Sequence, residues 1–141
     1  MKSKIIIGLG LICFSLIISC QSDDQLEFKR YYSSGSLIYQ SKCQNSHGAK
    51  GEGLSALIPP LTDSAYLKTN KETLACAVKY GVKGKINISQ KEFEGQMPAN
   101  DLAPVAIAEV LTYITNSFGN KMGTITSEQV NNDLAKCGSD E

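Results

Sequence analysis

The 141-residue sequence predicts an all-α fold, and three observations carry that expectation. Between residues 100 and 119, Ile107, Leu111, Ile114 and Phe118 recur at spacings of four, three and four, which lays them along one face of a helix. Shorter segments within 34–42, 62–81 and 126–137 open on Ser, Thr or Asp and carry apolar turn sets, the pattern of short capped helices. Only KINIS, residues 85–89, reads as a brief extended piece, and no internal repeat is visible.

The first 19 residues are expected to be a signal peptide: Lys2 and Lys4 precede an apolar run, Ile5 to Ile18, that is short for a membrane span. IISC, Ile17 to Cys20, is similar to the lipobox of bacterial lipoproteins, which implies acylation of Cys20. The alternative is an ordinary signal peptide with a coincidental cysteine. Lipidation would attach the protein to a membrane without adding a helix. Residues 20–29, opening on the polar and acidic QSDDQ, are expected as a tether.

A domain is expected over 30–119, with a C-terminal helical extension at 120–141. Its first helix runs from about Ser34 to Lys42, with Leu37, Ile38 and Tyr39 as the apolar group. GAKGEGLSALIPPL, residues 48–61, holds three glycines and two prolines and reads as a loop. Thr62 and Asp63 are candidate caps for a short helix, and NKETLACAVKYG gives another that stops at Gly81. Residues 81–100 are again glycine-punctuated. Asn100 or Asp101 is the expected cap of the main helix, which tolerates Pro104 in its first turn and ends before Gly119. TSEQVNNDLAKC, with a Thr or Ser cap, is the last helix. Two long irregular loops are costly in so small a domain unless something fills the middle, and a bound cofactor would supply that missing core.

Charge excludes one class of partner. Beyond residue 19 there are 12 Lys plus Arg against 14 Asp plus Glu, no Trp, and Lys29–Arg30 is the one adjacent basic pair, so nucleic acid is not an expected ligand. Hydrolysis and zinc binding fit no better. A single histidine without a G-x-S-x-G elbow makes no triad, and the cysteines show no C-x-x-C spacing. Of five cysteines, Cys13 belongs to the signal segment, Cys20 is the candidate lipid site, and Cys43 opens a motif. Cys76 and Cys137, 61 positions apart, either pair in an oxidising compartment or stand as two buried thiols.

The motif is CQNSHG, residues 43–48: the framework of a c-type haem attachment site with Ser46 where the second cysteine belongs. His47 is the only histidine, Pro59 follows it by twelve positions beside Pro60, and Met97 stands fifty residues beyond it in GQMPAN. Met97 lies between Gly95 and Pro98, outside any amphipathic pattern, whereas Met1 and Met122 are poorly placed rivals.

With these features the chain resembles class I c-type cytochromes over about residues 30–119. The resemblance implies a cytochrome c-like fold, helices wrapped around one haem. It makes His47 and Met97 the iron ligands, brings the Pro59 carbonyl to the imidazole, and sets Gly35 and Tyr39 against Val110 and Tyr113 where two helices cross. It also implies an electron carrier rather than an enzyme, exported to the periplasmic or cell-surface side of a bacterial membrane and serving redox partners of a respiratory chain. Ser46 departs from the family pattern. A hydroxyl is a much poorer nucleophile than a thiol, so haem c with a single thioether through Cys43 is expected; non-covalent haem is the alternative. Two further readings remain open: a haem-free cytochrome-fold lipoprotein serving as an interaction or assembly module, and a haem ligand sensor in which Met97 dissociates.

Overall fold

The computed structural model describes residues 23–138, so the expected signal segment, Cys20 and residues 20–22 lie outside the described residues. The chain is mostly helical, with one two-stranded sheet. Helix α1 spans Asp23–Lys42, eleven residues longer at its start than the sequence pattern indicates. Residues 23–29, expected as tether, are its first turns. Asp23 and Asp24 occupy the first turn, where unpaired N–H groups favour carboxylates, and Phe28 stacks on Tyr32 with ring centroids 5.8 Å apart. The acidity read as solvation is equally a helix-start signal.

A short turn of helix, α2 (Gln44–His47), follows directly, and then the loop 48–61. Helix α3 (Ser64–Thr69) is capped by Asp63, whose carboxylate accepts from the Tyr66 amide at 2.9 Å. A 3-10 turn, Lys71–Thr73, leads into α4 (Leu74–Tyr80), which stops at Gly81 with φ 78°. Strands β1 (Ile86–Ile88) and β2 (Lys91–Phe93) pair antiparallel, Ile86 opposite Phe93. Thus KINIS is extended, and it has a partner that the sequence pattern does not reveal. The tip of this hairpin is tied down where the Ser89 hydroxyl donates to the Asp63 carboxylate.

The main helix, α5, spans Pro104–Ile114. Its N-cap is Ala103, not Asn100 or Asp101. A proline at the first helical position has no N–H to satisfy, and it holds the preceding residue extended, as Ala103 is at φ −67° and ψ 153°. Asp101 instead pairs with Lys79 at 3.0 Å, and the Asn100 amide donates to the Val78 carbonyl. Helix α6 (Ser127–Leu134) starts on Thr126, whose hydroxyl accepts from the Gln129 amide at 3.1 Å. Residues 120–138 are not a separate layer. Ile125 and Val130 are buried in one cluster with Tyr31, Val78 and Ile107. Cys76 on α4 and Cys137 beyond α6 are joined by a disulfide, their Cα atoms 5.8 Å apart.

Helices α1 and α5 cross at Gly35. Here a β-carbon would overlap the Glu109 carbonyl and crowd the Tyr113 side chain. Tyr39, one turn on, is fully buried beside Val110, with its ring 5.3 Å from that of Tyr113. Gly35→Ala should therefore cost about 1–3 kcal/mol by overpacking, read as a lower denaturant midpoint at constant m. An unchanged midpoint would mean that the helices do not meet at this residue.

Candidate functional site

Cys43 and His47 are four residues apart, and the His47 amide donates to the Cys43 carbonyl at 2.9 Å, so both side chains leave the same side of one helical turn. The turn is fixed from below by Tyr39, whose phenol donates to the Gly48 carbonyl at 2.6 Å. Burial pushes the ionisation of that phenol well above the usual tyrosine range. Beyond Gly48 the loop folds back, with Gly53 N donating to His47 O at 2.9 Å and Leu61 N to Gly51 O at 2.8 Å. This return brings Pro59 to the imidazole.

His47 Nδ1 lies 3.2 Å from the Pro59 carbonyl. A carbonyl only accepts, so Nδ1 carries the proton and Nε2 keeps its lone pair. Burial lowers the imidazole pKa below its ordinary value, opposed by the Pro59 hydrogen bond. Burial thus favours the neutral ring, and the Pro59 contact favours the tautomer whose Nε2 lone pair is available. Cys43 is a half-buried free thiol, and burial pushes its pKa up, which keeps it protonated and a poor spontaneous nucleophile.

Met97 arrives from the other long loop. Its amide donates to the Val82 carbonyl and its carbonyl accepts from the Val82 amide, each at 3.0 Å, directly after the Gly81 stop of α4. Two residues earlier, Gly95 N donates to Leu57 O at 3.0 Å, and a β-carbon at Gly95 would overlap that same carbonyl. The glycines flanking this segment let the two loops lace together, which fixes Met97 relative to His47.

Between the loops lie two adjoining cavities. The outer one, about 120 Å³, has Lys42, Ser46 and Gln96 at its rim; the inner one, about 130 Å³, is walled by Leu67, Leu74, Leu111 and Ile114. Six residues line both: Cys43, His47, Pro59, Val82, Ile86 and Met97. Every cofactor residue that the sequence singles out among the described residues is in that set. Ser46 is exposed and lines only the outer cavity. Val82 and Ile86 escape sequence reasoning, because their place depends on pairings across long separations. The one local signal was the alternation in KINIS, which faces Ile86 and Ile88 inward together.

No group of three or more His, Cys, Asp or Glu side chains able to hold a metal occurs among the described residues. The site instead offers one imidazole, one thioether and one thiol. No protein-family model matches the chain, and no curated protein matches it either. Among the described residues no helix is long and apolar enough to cross a membrane.

Proposed function

We propose that this protein binds one haem between the two loops and carries single electrons, in the manner of the class I c-type cytochromes it resembles. The observation that carries the reading is that Cys43, His47, Pro59 and Met97, about fifty residues apart in sequence at the extremes, all line both cavities. The donor set fits the group. A macrocycle brings four ligands of its own, so the protein need supply only His47 and Met97, one borderline and one soft neutral donor. The inner wall is apolar, as a porphyrin face requires.

When bound, the haem supplies the one-electron chemistry, with His/Met ligation raising its potential. The chain's own residues do the rest. Pro59 holds the imidazole tautomer, Val82 fixes the Met97 backbone, and Leu67, Leu74, Leu111 and Ile114 exclude water. Cys43 supplies the one thiol for attachment. The same proposal places the protein outside the cytoplasm, anchored through Cys20 and serving redox partner proteins.

Cavity size favours a second reading. Each cavity is below the about 300 Å³ at the lower bound of ordinary ligand pockets. A haem-free interaction module of this fold would keep the slot closed. The two readings separate on one experiment, in which the full chain is expressed in a host that matures c-type cytochromes. A reduced pyridine haemochrome spectrum with one haem per chain is the expected result. A folded helical protein with no Soret band would sink the carrier and leave the module.

A further inference from the structure

The geometry points to the Phe118–Gly119–Asn120 turn as the positioning element of His47, a role that deepens the reading of His47 as a ligand and rests on it. Phe118 has φ 56° and Gly119 has φ 92°, so the chain leaves α5 through two successive left-handed residues. The first carries a β-carbon that disfavours this conformation. What the strained turn achieves is the simultaneous placement of two side chains on the loop that carries Pro59.

The Phe118 ring lies 5.3 Å from that of Tyr39 and fills the space where a side chain at Gly51 would sit. Asn120, only 6% exposed, donates through Nδ2 to Leu61 O at 2.8 Å and to Ile114 O at 3.1 Å, while its Oδ1 accepts from the Ser64 hydroxyl at 2.6 Å. One amide thus joins the end of α5, the start of α3 and the end of the loop. The stretch 51–61 is held at both ends, by the ring at Gly51 and by the amide at Leu61, and the Leu61–Gly51 hydrogen bond closes it. Pro60, with its fixed φ, transmits the Leu61 anchor to Pro59. The Pro59 carbonyl stays at His47 Nδ1 because this turn keeps it there.

The sole histidine makes this measurable without any cofactor. In the full chain purified without haem, the ¹⁵N shifts of the single imidazole at a pH where it is neutral distinguish the two tautomers. The Nδ1–H form is expected in the wild type. Asn120→Asp keeps the acceptor for Ser64 and loses both donors; it should shift the tautomer ratio about fivefold toward Nε2–H, the worth of one typical hydrogen bond. Phe118→Leu, which loosens only the Gly51 end, should move the tautomer ratio the same way and serves if Asn120→Asp does not fold. Val130→Ala, at a fully buried site on α6, should lower stability and leave the imidazole unchanged. A folded variant with the wild-type tautomer ratio overturns the proposal, and so does Val130→Ala moving that ratio equally. Haem loading of the wild type, measured in parallel, tests the ligand reading separately: no haem with a responsive imidazole removes the cofactor but keeps the positioning role.

Discussion

Cys43→Ser should turn haem that resists acidified acetone into haem that acetone extracts completely. Cys76 and Cys137 are bonded to each other, so among the described residues Cys43 is the one thiol able to add its S–H across a haem vinyl group. Linkage is then all or none with this residue. A covalent haem cannot leave when an axial ligand lets go, whereas a haem held by His47 and Met97 alone exchanges with solvent. Loss of the bond should therefore appear as haem transfer to an acceptor protein such as an apo-globin, and in the wild type no transfer should occur. The converse variant is as informative. Ser46 is exposed at the rim of the outer cavity. Ser46→Cys should add a second thioether and move the haemochrome band from a position between those of unlinked and doubly linked haem, expected with one thioether, to that of doubly linked haem. Resistant haem in Cys43→Ser would overturn the assignment of Cys43, and an unmoved band in Ser46→Cys would show that residue 46 does not reach a vinyl group.

How much of this site was legible in the sequence follows from how local each determinant is. His47, Pro59 and Met97 were singled out by a motif and by the resemblance it carries, and the structure brings all three to the same two cavities. The cap at Asp63 and the Ile107, Leu111 and Ile114 part of the α5 stripe were readable because they depend on near neighbours, whereas Phe118, expected as the fourth member, lies beyond the helix end at φ 56°. The start of α1 was not. Its buried residues are Tyr31, Gly35 and Tyr39, and a glycine in the middle of a four-residue repeat breaks an apolar stripe that the packing needs for close approach. Strand β2 was hidden for a similar reason: of Lys91, Glu92 and Phe93 only Phe93 is buried, too little to show alternation. That residues 120–138 pack into the main core through Ile125 and Val130 is a contact no local pattern announces. Nothing local marks Asn120, whose amide spans separations of 56 and 59 residues.

Cys137→Ser should destabilise the protein by about 4 kcal/mol, a large share of a small domain's stability. The Cys76–Cys137 bond closes a 61-residue separation, and loop-closure entropy for a loop of that length gives about 4 kcal/mol in the unfolded chain. The same two segments are also bridged by the Lys136–Glu72 pair at 3.3 Å. That pair is solvent-exposed and is worth at most about 1 kcal/mol, too little to replace the disulfide. Denaturant unfolding of the wild type with and without reductant should show the full shift in midpoint, with a steeper m as the uncrosslinked chain exposes more surface, and Cys137→Ser should show no response to reductant. Equal midpoints for wild type and variant under oxidising conditions would mean that the bond does not form. The site should feel the loss too. Helix α4 carries Cys76 at its middle, and its C-terminal end holds the Met97 segment through Val78, Gly81 and Val82. Freeing α4 from α6 loosens the loop segment that presents the thioether while leaving the His47–Pro59 contact on the opposite loop. In haem-loaded protein the form with the disulfide reduced should lose Met97 ligation before it unfolds, seen as conversion to a carbon monoxide-binding spectrum at a denaturant concentration where circular dichroism is still native.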